Sequence, residues 1–270
     1  MTAIAQAPPV EPLAPGAAPL AILLDYDGTV AQTDVGDTVM AEHVTADWEP
    51  IVKAYDEGRI GSRQTMEAEL ALLRATETEL MATAAAQPHD PGLAPLARRA
   101  QAVGIPVEIV SDGFGFYIPA ALASLGLADL PMVAASATFD GDRARIDFPN
   151  GNPSCFVCGT CKRQRVLAHQ AAGRAVVFVG DGESDRYAAG YADVVFAKRS
   201  LVRICIEAGW PFQRWTELAE VDAWLAATLD AWRRDPGSLP SPVARPFFCG
   251  PEVWGEGGEN PPPGAWPPIV

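Results

Sequence analysis

Three short, largely apolar runs each stop at small polar or acidic residues. Leu20 to Leu24 leads into Asp25-Tyr26-Asp27-Gly28-Thr29, Val107 to Val110 into Ser111-Asp112-Gly113, and Ala175 to Val179 into Gly180-Asp181-Gly182-Glu183-Ser184-Asp185. Apolar runs of this length without alternation suit strands buried on both faces of a parallel sheet. Between the first and second runs the pattern turns helical. Val35, Val39 and Met40, then Ile51, Val52 and Tyr55, then Met66, Leu70, Leu72 and Leu73, then Leu80 and Met81 fall near 3.6-residue spacing. Pro88 and Pro91 close this stretch before a further helix, Leu93 to Val103. A crossover between parallel strands needs only about a dozen residues, so the excess reads as a helical cap over residues 33–88.

Downstream, the pattern predicts a helix over Phe114 to Leu125, a strand over Pro131 to Ala137 and a hairpin from Thr138 to Phe148 turning at Asp140-Gly141-Asp142. It then predicts a helix over Lys162 to Ala171, a strand over Val176 to Val179, a helix over Glu183 to Tyr191 and a last strand over Val194 to Ala197. Helices over Leu201 to Ala208 and Glu217 to Trp232 complete the set. The expected fold is therefore α/β: a doubly wound, Rossmann-like parallel sheet, with a core of residues 19–32 and 89–233 and an inserted helical cap. Residues 1–18 are rich in Ala and Pro, with neither the basic start nor the apolar stretch of a secretory signal or membrane anchor, and read as a disordered arm. Residues 234–270 form a tail rich in Pro, Gly and Trp, in which Phe247, Phe248, Trp254 and Trp266 are too apolar for a plain linker.

Composition narrows the partners. With 270 residues, 49% of them hydrophobic, the chain can bury a full core and one modest accessory domain. Its formal net charge of −14 argues against nucleic acid and anionic membrane, both of which need clustered Lys and Arg, and leaves a small molecule. Of five cysteines, Cys155, Cys158 and Cys161 form C-x2-C-x2-C; the odd count precludes a complete disulfide framework. Three thiolates do not close a tetrahedral zinc site, so unless Cys205, Cys249 or His169 joins them they read as thiols in a reducing, cytoplasmic setting.

The strand ends carry the candidate chemistry. Open α/β sheets bind ligands beyond the carboxyl ends of their strands, and residues two apart on extended chain point the same way, so Asp25 and Asp27 can face one substrate. Alone, Asp-x-Asp-Gly also suits an ordinary turn. It is followed, however, by Ser111, by Lys162 at a helix start, and by Asp181 with Asp185. These four motifs in this order resemble the haloacid dehalogenase superfamily of aspartate-nucleophile phosphatases, in its phosphoserine-phosphatase-like branch. Val110-Ser111-Asp112-Gly113-Phe114, Ile146-Asp147-Phe148-Pro149 before the Cys loop, and Phe196-Ala197-Lys198-Arg199 are most similar to the 2-hydroxy-3-keto-5-methylthiopentenyl-1-phosphate phosphatase group within it.

The resemblance implies hydrolysis of a small phosphate ester through an aspartyl-phosphate. Asp25 would be the nucleophile, Asp27 the general acid and base, and Ser111 and Lys162 the groups on the phosphate, with Asp34, Asp112 and Gly113 toward the substrate. A carboxylate and a phosphate dianion about 4 Å apart repel by several kcal/mol at an effective dielectric near 20, so a cation is required. By resemblance it is Mg²⁺, held by the Asp25 carboxylate, the Asp27 main-chain carbonyl and Asp181, with Asp185 in support. Glu69 falls where phosphoserine phosphatases carry an Arg for the substrate carboxylate, which argues against phosphoserine itself. Two alternatives stand beside this reading. A dehalogenase or phosphonate hydrolase on the same fold would not need a proton donor at Asp27, and a non-catalytic binding module built around the Cys loop would not need the acid set at all.

Overall fold

The computed structural model describes residues 4–152, 155 and 157–242. Strands β1 (Leu20–Leu24), β2 (Val107–Val110) and β3 (Met132–Val133) precede a hairpin of β4 (Ser136–Asp140) and β5 (Arg143–Asp147), and β6 (Ala175–Gly180), β7 (Val194–Ala197) and β8 (Gln213–Arg214) follow it. Apart from the hairpin, these strands form one parallel sheet in the order β3-β2-β1-β6-β7-β8. The chain builds outward from β1 to β2 and β3, then crosses to β6 on the other side. That reversal makes the carboxyl end of β1 the switch point where doubly wound sheets bind ligands.

Alternation along the buried strands sorts the core into two layers. Leu20, Ile22 and Leu24 of β1 and Val177 and Val179 of β6 pack with Leu96 of α5 (Leu93–Gln101) and Leu225 of α10 (Leu218–Arg234). Leu23, Val176 and Phe178 face the other way, onto Val166 of α7 (Lys162–Ala171), Ala188 of α8 (Arg186–Ala189) and Leu201 and Ile204 of α9 (Arg199–Ala208). Both faces are covered, which explains the apolar runs.

Four helices lie between β1 and β2 ahead of α5: α1 (Val35–His43), α2 (Glu49–Asp56), α3 (Ser62–Leu72) and α4 (Glu77–Ala85). Their connections to the core run side by side, with Gln32 N donating to Pro88 O and Asp90 N to Val30 O, both at 2.9 Å. The insertion therefore leaves and rejoins the core at one point. No helix among the described residues is long and apolar enough to cross a membrane.

The structure departs from the sequence expectations in several places. The expected disordered arm lies as an extended strap on the core: Arg165 Nη1 donates to Pro8 O at 2.9 Å, Arg174 Nη1 to Glu11 O at 2.7 Å, and Leu13 N to Ala172 O at 3.0 Å. Its Pro-rich chain has no period of its own, but its bare carbonyls accept from arginines far away in sequence. The helix expected from Phe114 begins only at Ile118, as α6 (Ile118–Ser124), because Gly115 takes a φ of +76° and a Cβ there would stand 2.2 Å from Ala135 O. The strand expected over Pro131 to Ala137 is divided between β3 and β4, and the helix expected over Glu183 to Tyr191 is a 3-10 turn over Glu183–Asp185 followed by the short α8. At the carboxyl end Leu239 is buried in the core, while Phe247, Phe248, Trp254 and Trp266 lie outside the described residues.

One charged residue sits in the middle of the sheet. Glu108 of β2 accepts from Arg165 Nε and Nη2 of α7 at 2.5 and 2.7 Å, and His169 Nε2 lies 3.1 Å from its Oε1. Burial works to raise this carboxyl's pKa, but the imidazole and guanidinium outweigh it and bring the pKa down to about 2 from 4.5. The pair anchors α7, whose first residue is Lys162. Glu108→Gln should lower stability by about 3 kcal/mol, since it leaves a largely buried guanidinium unpaired. A carboxyl with a depressed folded-state pKa contributes stability that is complete above its unfolded value and lost as the pH falls through the folded one. The gap in melting temperature between wild type and variant should thus hold steady above 4.5 and close between 4.5 and about 2.

Candidate active site

β1 delivers Asp25 at its carboxyl end, still in sheet register, with its N–H donating to Val179 O at 2.9 Å. The side chain is buried, and its Oδ1 accepts from Lys162 Nζ at 2.6 Å. The same ammonium reaches Asp185 Oδ1 at 2.7 Å and Ser184 Oγ at 3.0 Å. Asp185 is fully buried, and its other oxygen accepts from the Asp181 and Gly182 N–H groups at 2.8 and 3.0 Å, so the loop after β6 folds around this carboxylate. Burial raises the pKa of Asp25 well above the usual carboxylate range, Asp185 and Asp181 add to the rise, and Lys162 partly offsets it. Burial works against the charge on Lys162, but Asp185 and Asp25 outweigh it and hold the ammonium protonated.

Asp25, Asp181 and Asp185 each offer a ligand oxygen within 4.8 Å of the others, the one such cluster among the described residues. Three carboxylates at that spacing form an all-oxygen set suited to a hard divalent cation. Cys155, Cys158 and Cys161 are not grouped in that way among the described residues, and none of the three is in a disulfide.

Asp27 lies in the turn that follows β1. Gly28 turns the chain with a φ of +69°, at a place where a Cβ would come within 2.1 Å of Asp181 Oδ2. Asp27 Oδ1 accepts from Val35 N, in the first turn of α1, at 3.0 Å, and Tyr117 Oη stands 3.2 Å from both carboxyl oxygens. Burial and then the charge of Asp34 push its pKa well up, against the Val35 and Tyr117 hydrogen bonds. A raised carboxyl pKa favours the proton-donating form that general acid catalysis uses. Ser111 Oγ is buried and accepts from Gly113 N at 3.1 Å. A Cβ on Gly113 would lie 2.5 Å from Asp27 Oδ2 and 3.3 Å from Ser111 Oγ, so only glycine lets these groups approach one another.

Asp112, expected at the substrate, lines the cavity at the strand ends and also has both oxygens engaged within the protein, accepting from Ser62 Oγ at 2.5 Å and Thr160 N at 2.7 Å. It ties the start of α3 to the end of the Cys loop, and burial lifts its pKa to about 6 against Lys162 and these hydrogen bonds. Asp34 caps α1, accepting from Asp37 N at 2.9 Å, and lines the same cavity as Asp25, Asp27, Gly113 and Asp181. That cavity, of about 270 Å³, lies between the strand ends and helices α1 to α3.

Two further residues belong to the site. Tyr117 sits in a Gly-Phe-Gly-Phe-Tyr stretch that reads in sequence as the start of a helix. Arg199 donates to Asp181 Oδ2 at 3.0 Å and to Gln32 O at 2.8 Å, joining the loops after β6 and β1. It is the one described non-glycine residue with a positive φ, 47°, a strained backbone of the kind found at functional sites. Burial and Asp185 push Asp181 up to about 6, against Arg199 and Lys162.

Fold and site together define a doubly wound α/β hydrolase with its carboxylates at the switch point. Residues 22–190 match the family model of haloacid dehalogenase-like hydrolases, and the chain belongs to that family. Among similar proteins, one from Lysinibacillus sphaericus is 29% identical over 197 residues, covering 69% of this chain and 85% of its own length, and one from Brevibacillus brevis is 25% identical over 186, covering 67% and 84%. Both are named 2-hydroxy-3-keto-5-methylthiopentenyl-1-phosphate phosphatase. Among solved structures, a phospho-aspartyl intermediate analogue of phosphoserine phosphatase superposes with a TM-score of 0.58 at 18% identity, over 76% of this chain and 98% of its own. A probable phosphoserine phosphatase from Vibrio cholerae gives 0.59 at 21%, over 79% and 66%. These two share the fold. By its family and its relatives, the chain is a phosphoric monoester hydrolase.

The approach of Gly113 to Asp27 can be tested directly. Gly113→Ala should keep the fold, as read by circular dichroism and melting temperature, yet lower turnover about 10²-fold, the usual loss when a reacting group is displaced by about 1 Å.

Proposed function

We propose that this hydrolase is a Mg²⁺-dependent, cytoplasmic phosphatase of small phosphorylated metabolites that works through an aspartyl-phosphate on Asp25. The observation that carries the reading is the pairing at the end of β1. Asp25 is held at 2.6 Å by a buried ammonium, while Asp27, two residues on, is held instead by Val35 N and the Tyr117 hydroxyl. Nucleophile and acid border one cavity, and the insertion of residues 33–88 forms a cap over it.

The oxygen cluster fits the metal. Asp25, Asp181 and the main-chain carbonyl of Asp27 would hold it, with Asp185 steadying the Asp181 loop. When bound, the cation supplies the positive charge that lets a phosphate dianion approach these carboxylates. Lys162 aims Asp25 and meets one phosphate oxygen, and Ser111 donates to another. The Asp25 carboxylate attacks phosphorus, the P–O bond to the alcohol breaks, and Asp27 gives its proton to the departing oxygen. Asp27 then takes a proton from water as that water attacks the aspartyl-phosphate, which releases phosphate and restores Asp25. A proton donor at Asp27 favours this over the dehalogenase and phosphonate alternatives, and the carboxylate cluster favours it over a thiol-based binding module.

Asp25→Asn should abolish phosphate release from p-nitrophenyl phosphate, and Asp27→Asn should slow it about 10² to 10⁴-fold, the usual worth of general acid catalysis. Near-normal turnover in Asp25→Asn would refute the mechanism. Excess chelator should stop the wild-type enzyme, and Asp181→Ala should raise the Mg²⁺ concentration that gives half activity; equal rates with and without chelator would count against the metal.

A further inference from the structure

The strap of residues 4–13 lies ahead of residues 22–190, the part of the chain that matches the family model. It follows α7 along its length. Leu13 N donates to Ala172 O just past the last turn of that helix, and Pro8 O accepts from Arg165 Nη1 in its first turn, so the residues before Pro8 reach the loop that leads into Lys162.

There the strap meets Asn150. Ala7 N donates to Asn150 Oδ1 at 2.7 Å, while Asn150 Nδ2 donates to Ala5 O at 3.2 Å and to Ala134 O, just past β3, at 2.9 Å. The side-chain amide is thus engaged at both ends, by the strap and by the edge of the sheet. Its main chain reaches the catalytic helix: Asn150 O accepts from Cys161 N at 3.0 Å, and Cys161 immediately precedes Lys162. Cys161 gives α7 no side-chain cap, so main-chain bonds such as this one fix the backbone entering the helix. Asn150 itself lies with Pro149 in the middle of a turn in which Gly151 N donates to Phe148 O at 3.2 Å. A Pro-Asn-Gly turn forms by local preference alone. The bonds to the strap and to Ala134 therefore do not make the turn; they fix its place.

The strap also touches a second support of the site. Ile4 N donates to Ser136 Oγ at 3.0 Å, and a Cβ on Gly115 would stand 3.0 Å from Ile4 Cδ1. Gly115 turns the loop that brings Tyr117 to Asp27. Lys162, for its part, leaves little tolerance, since its buried ammonium must meet Asp25, Asp185 and Ser184 together.

We propose that residues 4–8 of the strap, through the positioning residue Asn150, hold the start of α7 in place and so aim the Lys162 ammonium at Asp25. This rests on Lys162 as the group that orients the nucleophile. Asn150 touches no reacting atom, so its effect lies in orientation and falls on kcat rather than on KM.

The test uses the full-length protein and p-nitrophenyl phosphate. Asn150→Ala removes the side-chain bonds and keeps the carbonyl. Ala7→Pro removes the N–H that donates to Asn150 Oδ1, in a strap already rich in proline, and serves as the second variant should Asn150→Ala not fold. Leu13→Pro removes the corresponding kind of bond at the far end of α7 and is the control for a strap that only stabilises the fold. Asn150→Ala and Ala7→Pro should each lower kcat about tenfold or more with KM within about threefold, and Leu13→Pro should stay within about twofold of wild type. Amide hydrogen exchange of the peptide containing Cys161, followed by mass spectrometry, should quicken in the first two variants and not in the third. A smaller loss of kcat in either variant that is folded by circular dichroism, a loss carried by KM, or an equal loss in Leu13→Pro would overturn this inference alone. Wild-type turnover in Lys162→Met would instead overturn the role given to Lys162, and no phosphate release by the wild-type protein would overturn the phosphatase reading itself.

Discussion

The ammonium of Lys162 is the contact on which the carboxyl end of this sheet depends. It lies 2.6 Å from Asp25 and 2.7 Å from Asp185, while those two acids and Asp181 crowd within 4.8 Å of one another. At an effective dielectric near 20, each such ammonium contact is worth about 6 kcal/mol and each carboxylate pair costs about 3.5 kcal/mol, so two attractions are of the same order as three repulsions. Without Lys162 the acids would lean further toward their protonated forms, and a protonated Asp25 is no nucleophile.

The remainder of the fold reads as support for that ammonium and for the turn after β1. Lys162 begins α7, and α7 is held to the sheet by Val166 in the core and by Arg165 on Glu108. Asp112 fastens the loop ahead of α7 to the start of α3, so the helix that bears Lys162 and the helix that bears Glu69 share one clamp. Parallel register puts Asp25 beside the end of β6, where Asp181 and Asp185 follow within five residues of Gly180. Glycine at 28 leaves room for Asp181 and Arg199, and glycine at 113 leaves room for Asp27.

Much of this arrangement can be read in the sequence because it rests on short-range pattern. Strands buried on both faces show as apolar runs, and Lys162 to Ala171 and Val194 to Ala197 fall where their periods place them. Glu69, singled out by resemblance, lines the cavity beyond the strand ends. Other features depend on partners far along the chain. Phe114, Phe116 and Tyr117 have a helical spacing, yet Gly115 and the close approach of Ala135 hold them in a loop, which is how Tyr117 reaches Asp27. The arm of residues 4–18 has no period, and its order comes from Arg165 and Arg174. The clamp of Asp112 on Ser62 leaves no local signal in the sequence, and the strained backbone of Arg199 has no counterpart in residue type.

The central claim is that Asp25 itself becomes phosphorylated. Acid quenching during turnover, followed by proteolysis and mass spectrometry, measures this most directly. The account predicts about 80 Da of added mass, labile to hydroxylamine, on the peptide that contains Asp25, formed at least as fast as phosphate is released. A phosphorylated peptide from another part of the chain, or steady release of phosphate with no acyl-phosphate at any quench time, would contradict it.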